Sequence, residues 1–167
     1  IVRQCRQAAR TDSSVMFYGE TGTGKEMFAQ SVHNASKRAG RPFLAINCAA
    51  IPENLLESLL FGTEKGAYTG AECRPGLFEQ ANGGTLLLDE INSMNINLQS
   101  KLLRVLQDGV IRRVGGADEI YVDVRVLSNI NTPPYQAIEE NKLRRDLFYR
   151  LGVVNITIPP LRERKED

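Results

Sequence analysis

The chain has 167 residues, 42% hydrophobic and 25% charged, with 21 Lys and Arg against 20 Asp and Glu and a formal net charge of +1. That is one ordinary globular domain, which excludes disorder, collagen and coiled coil as whole-chain answers. The charge balance argues against a domain that neutralises DNA phosphates, and no apolar run approaches the ~20 residues of a membrane span. Cys5, Cys48, Cys73 and the lone His33 form no recognised metal cluster, and the cysteines fit reduced thiols in the cytoplasm better than disulfides. The chain begins at Ile1 without a signal peptide, and we expect it to be part of a longer protein.

In chain order, Val15–Tyr18 is a short apolar strand that runs into a Gly-rich turn. Lys25–Arg38 reads as a helix, with Met27, Phe28, Ser31 and Val32 at helical spacing. Pro42–Asn47 is a second strand, and Glu53–Phe61 a leucine-rich helix opened by Pro52. Thr85–Leu88 is a third strand, ending in Asp89-Glu90, and Ile96–Leu106 is again helical. Val110–Val114 and Glu119–Val122 flank Gly115-Gly116, a hairpin signal. Val124–Leu127 continues as a strand broken by Pro133-Pro134; a helix at Leu143–Leu151 and a strand at Val153–Ile158 follow. Strands alternating with helices predict an α/β fold with a parallel sheet, whose ligands bind beyond the carboxyl ends of the strands.

Two motifs fall at those ends. Gly19-Glu20-Thr21-Gly22-Thr23-Gly24-Lys25-Glu26 fits G-x4-G-K between a strand and a helix. Its glycines let backbone N–H groups form an anion nest, the helix N-terminus favours phosphate, and Lys25 reaches the outer phosphates. Glu26 stands where the generic motif has Ser or Thr for Mg²⁺; a carboxylate there can hold the metal directly or through water. The second motif is Leu86-Leu87-Leu88-Asp89-Glu90. In P-loop ATPases the Asp of such a pair holds the metal, and the following Glu is placed to act as general base on water.

Together with Gly66–Ala71 (GAYTGA), Leu143–Leu151 (LRRDLFYRL), Asn47–Pro52 (NCAAIP) and Pro159–Asp167 (PPLRERKED), these motifs resemble the central AAA+ domain of sigma-54-dependent transcription activators, the bacterial enhancer-binding proteins. The resemblance covers essentially the whole chain, and GAYTGA is its most specific element. It implies a P-loop AAA+ α/β subdomain over residues 1–167, with a five-stranded parallel sheet flanked by helices and without the helical lid. Regulatory and DNA-binding domains are expected outside these residues, so DNA would be met only through another domain.

The resemblance also implies ATP and Mg²⁺ as ligands, a hexameric ring when full length, and sigma-54 of RNA polymerase as partner. Gly66, Ala67, Tyr68, Thr69, Gly70 and Ala71 would form the loop that touches sigma-54; Tyr68 stands where the family usually has Phe. Asn47 matches a switch residue expected to hydrogen-bond the catalytic Glu90, in competition with an ordinary turn-forming Asn. Arg144 and Arg150 match arginine fingers that act on a neighbour's nucleotide, whereas Arg145 reads as part of a solvated face. Asn131 matches a sensor whose usual Thr partner is replaced by Ile130. The hairpin at 110–122 corresponds to a second loop that positions the first. His33 reads as a structural or adenine-side residue. Without a lid, these residues alone are expected to bind ATP weakly and turn it over little. A different class stays open: a nucleotide-gated oligomerisation scaffold with little hydrolysis.

Overall fold

The computed structural model describes residues 1–165. Its elements begin with α1 (Val2–Ala9), β1 (Val15–Tyr18), α2 (Lys25–Asn34), β2 (Phe43–Asn47) and α3 (Glu53–Phe61). A small pair, β3 (Gly62–Thr63) and β4 (Arg74–Pro75), is followed by α4 (Leu77–Gln80), β5 (Thr85–Asp89) and α5 (Ile96–Asp108). Then come β6 (Val110–Ile111), β7 (Ile120–Tyr121), β8 (Arg125–Ile130), α6 (Pro134–Glu139), α7 (Arg145–Leu151) and β9 (Val154–Thr157). The main sheet has the order β2-β5-β8-β1-β9, and every pairing in it is parallel.

Both faces of the sheet's centre are covered, so β1 (VMFY) and β5 (TLLLD) read as apolar runs, whereas the edge strands β2 and β9 alternate with exposed positions. Leu86, Leu88, Val126 and Ile130 pack into one core with α3, α4, α5 and α7. Val15, Phe17, Leu87 and Leu127 pack into the other, under α1 and α2. Small residues of α1 (Cys5, Ala8, Ala9) let it lie close, and the buried Arg125 donates to the Ala8 and Ser13 carbonyls at its end.

Several expected boundaries move, for identifiable reasons. The second helix stops at Asn34 rather than Arg38. Ser36 Oγ caps the His33 carbonyl, and Arg38 turns away to fork onto Asp12 and bind Asp123. The hairpin keeps only two residues per strand, because Val114 spends its N–H and C=O on Gly62 and Glu64 instead. The strand ends at Ile130, before the two prolines, and Pro134 opens α6, where proline at the first helical position loses no hydrogen bond. The elements α1, α4 and α6 and the β3–β4 pair lie outside the sequence expectations.

His33 is structural, and the adenine-side reading is corrected. It is buried against Thr85, the first residue of β5, at the end of the sheet opposite the glycine-rich turn. Its Nε2 lies 3.1 Å from the Arg41 carbonyl, which can only accept, so Nδ1 accepts from Thr85 Oγ1 at 2.8 Å. Burial holds this imidazole below its ordinary pKa. The folded state thus favours neutral His33, and the unfolded chain takes up the extra proton as pH falls below ~6.5. Stability from this group is full above that pH and is lost as pH falls toward the folded value. Denaturant midpoints at about pH 7.5 and 5.5 are expected to drop more for the wild type than for His33→Gln.

Candidate functional site

The carboxyl ends of β1, β2, β5 and β8 converge at one edge of the sheet. The turn after β1 is anchored there by Gly19 N–H, which donates to the Ile130 carbonyl at the end of β8. Lys25 Nζ donates to the Gly19 and Glu20 carbonyls at 2.7 and 2.9 Å, and Thr23 Oγ1 donates to Glu20 O at 2.8 Å. Gly22 has φ of 84°, in the left-handed region that favours glycine, and a Cβ there would meet no atom within 4 Å. Thr21 and Gly22 stand exposed at the tip of the turn. Gly24 N-caps α2, and Glu26 is exposed on the first helical turn. Burial lowers the Lys25 pKa, while Asp89 and Glu90 oppose that shift, which places both carboxylates within electrostatic reach of the ammonium.

Asp89 closes β5, and its Oδ1 accepts the Glu90 N–H at 3.0 Å. Glu90 adopts φ 52° and ψ 54°, a left-handed conformation that costs a non-glycine residue about 1–3 kcal/mol and clusters at functional sites. That turn redirects the chain and lifts the Glu90 side chain out of the strand alternation. Asn47 is the in-register neighbour of Asp89 on β2. The expected Asn47–Glu90 hydrogen bond is not made: Asn47 Oδ1 instead accepts from Ala49 N–H at 2.9 Å, a local Asx turn. Cys48, buried beside the carboxylates, has its thiol pKa pushed up to about 12 by burial first and by Asp89 and Glu90 next. It stays a protonated packing residue.

Asn131 follows β8, and its Oδ1 accepts from Asn92 Nδ2 at 3.2 Å, leaving the Asn131 N–H donors for something else. Ile130 is fully buried in the α3–α5 core, so position 130 faces away from the turn. Arg144 N-caps α7; its guanidinium forks onto Asp146 at 3.0 and 2.9 Å. Arg150 is exposed near the other end of α7 and donates to Leu106 O. No hydrogen bond joins either arginine to the glycine-rich turn among the described residues.

The 66–71 loop rises from the β3–β4 stem, with Tyr68, Thr69 and Gly70 exposed and Ala71 buried at its base. The 110–121 hairpin braces it. Glu64 N–H donates to Val114 O, Arg113 pairs with Glu79 and Glu64, and a Cβ on Gly115 would stand 2.6 Å from Ala67 Cβ. The second loop thus touches the first directly.

Sequence reasoning missed Arg162, Arg164 and Asn92. Arg162 forks onto Glu20 at 2.9 and 3.0 Å, and Arg164 donates to Thr23 O and lies over the Phe28 ring. With Ile1, Val2 and Phe28 these arginines line a hollow of about 740 Å³ beside the turn. Asn92 orients Asn131. The alternating basic residues of Leu161–Arg164 were the available signal; their targets were set only by the fold. Residues 166–167 of the expected PPLRERKED stretch lie outside the described residues.

The donor set suits a metal–triphosphate. The described residues contain no group of three or more His, Cys, Asp or Glu that could hold an ion. Mg²⁺ needs no such cage, since it binds through one or two carboxylates together with substrate phosphates. The exposed glycine-rich turn at the N-terminus of α2 and the Lys25 ammonium fit the phosphates themselves.

Fold and turn together define a P-loop nucleoside triphosphatase core. Residues 1–157 match the family model described as the Sigma-54 interaction domain. The chain belongs to that family, the AAA+ domain of NtrC-like transcription activators. It is 59% identical over 167 residues to the transcriptional activator RocR of Bacillus subtilis, covering 100% of this chain and 36% of that protein. It is 51% identical over 168 residues to the DNA-binding transcriptional regulator NtrC of Escherichia coli, with the same coverages. The structure of NtrX from Brucella abortus in complex with ATP matches with a TM-score of 0.90 and 40% identity, over 99% of this chain and 37% of that one. The chain spans about a third of the length of these relatives.

Proposed function

We propose that this domain binds ATP in the Gly19–Lys25 cradle, hydrolyses it, and uses the cycle to remodel sigma-54 RNA polymerase in the bacterial cytoplasm, working within a hexameric ring. One observation supports this most: the cradle, the strained Asp89-Glu90 turn and Asn131 converge at the carboxyl ends of β1, β5 and β8. Backbone N–H groups of Glu20–Gly24 and the α2 N-terminus bind the phosphates, and Lys25 exchanges its loop carbonyls for phosphate oxygens. The adenine fits the hollow lined by Phe28, Arg162 and Arg164.

Asp89, with Glu26 as second carboxylate, would hold Mg²⁺, which neutralises charge on the phosphates when bound. Glu90 accepts a proton from the attacking water while the bond from the γ-phosphorus to its bridging oxygen breaks, giving ADP and phosphate. Asn131, held by Asn92, turns its N–H donors to the γ-phosphate or the water. Asn47 acts as a switch by trading the Ala49 N–H for Glu90. Arg144 and Arg150 reach into a neighbouring subunit's site. The 66–71 loop, braced through Gly115 and Arg113, presents Tyr68 and Thr69 to sigma-54; an exposed aromatic on a glycine-flanked loop suits a contact anchor.

The test is Lys25→Ala in the full-length protein. ATP binding should weaken about 10–100-fold, the equivalent of a hydrogen bond to a charged group. Unchanged affinity by titration calorimetry would sink the nucleotide assignment.

A further inference from the structure

Asn129 is fully buried, and neither its Oδ1 nor its Nδ2 has a hydrogen-bond partner. An orphaned buried amide is rare and destabilising. Its surroundings explain why it is kept.

Register fixes its place. Phe17 of β1 is its partner on one side. On the other, β5 and β8 pair in step from Thr85 and Arg125 to Leu88 and Ser128, so the next residues, Asp89 and Asn129, stand opposite each other. Neighbouring strands lie about 4.7–4.9 Å apart, which brings two short polar side chains on one face within hydrogen-bond reach. They do share a face. Phe17, Leu87 and Leu127 belong to the core under α2, and alternation places Asn129 and Asp89 with them. Lys25 opens α2 above that face and feels the Asp89 charge. Asp89 Oδ1 is already held by the Glu90 N–H, which leaves Oδ2.

We propose that Asn129 is a positioning residue for the metal–nucleotide site. Its Nδ2–H donates to Asp89 Oδ2 when the metal–triphosphate seats, and this fixes the carboxylate that faces the metal. The inference rests on the nucleotide reading above and extends it to a residue no motif includes. Outer-shell partners of this kind orient metal ligands, and their loss weakens metal affinity. Position 130 gives no such help, because Ile130 points into the opposite core. The fold would gain rather than lose from an apolar residue at 129, since an unpartnered amide would be removed.

The experiment uses the full-length protein, Asn129→Leu and Asn129→Ala. Mn²⁺ binding to the protein–ADP complex is followed by electron paramagnetic resonance of the free ion. Nucleotide affinity in EDTA and thermal melting are measured alongside. Both variants should bind Mn²⁺ about tenfold more weakly. Metal-free nucleotide affinity should be unchanged, and Asn129→Leu should melt no lower than wild type. Unchanged Mn²⁺ affinity overturns the proposal, as does a loss accompanied by lowered melting in both variants, which marks a packing role. Lys25→Ala separates the two levels. If its ATP affinity is unchanged, the nucleotide reading has failed; if that affinity falls, normal Mn²⁺ binding in the Asn129 variants defeats this inference alone.

Discussion

Glu90→Gln is expected to keep ATP bound and to slow turnover by about 10²–10⁴-fold, the range a positioned general base supplies. Gln matches Glu in size, and the left-handed turn at φ 52° carries over, so the cradle and Asp89 stay in place. Only the capacity to take a proton from water is lost. Binding is read by a fluorescent ATP analogue and turnover by phosphate release, both in the full-length protein. Unchanged turnover would remove Glu90 as base and favour a nucleotide-gated scaffold that hydrolyses little.

Arg144→Ala is expected to lose about 10³–10⁵-fold in turnover, as removal of an arginine finger does, with ATP affinity retained. Arg144 caps the start of α7, which descends from the carboxyl edge of the sheet toward the start of β9. Its guanidinium is held by Asp146, an exposed ion pair that contributes little to stability, so the loss cannot come from unfolding. Pairing Arg144→Ala with Glu90→Gln gives a sharper readout. If one subunit supplies the base and its neighbour the arginine, mixing the two inactive proteins restores part of the turnover. Mixtures as inactive as either protein alone would place both residues in one subunit's site. Arg150, which donates to Leu106 O near the far end of α7, is sorted by the same mixing test.

Much of this was legible because parallel sheets write themselves plainly. Short apolar-rich segments between turn residues gave all five main strands, and helical spacing gave α3 at Glu53–Phe61 as found. The cradle was readable because glycines, lysine and helix N-terminus sit within one turn. Features set by contacts between distant segments were not readable. Val114 leaves its hairpin for Gly62 and Glu64, and nothing local in the 110–122 sequence says so. Arg162 reaches Glu20 across most of the chain. Asn47 satisfies its own turn, a choice that spacing alone could not decide. Asn129 sits inside a fully buried strand, and only register reveals that it stands beside Asp89.

The central claim is that this domain couples ATP to sigma-54 through the 66–71 loop. Thr69 is exposed at the loop's tip, so Thr69→Ala leaves the core untouched. The most direct measurement is open-promoter formation by sigma-54 RNA polymerase with ATP, comparing the full-length wild type and Thr69→Ala. The account predicts open complexes with the wild type and their loss with Thr69→Ala. Open complexes formed equally well by both proteins would contradict it.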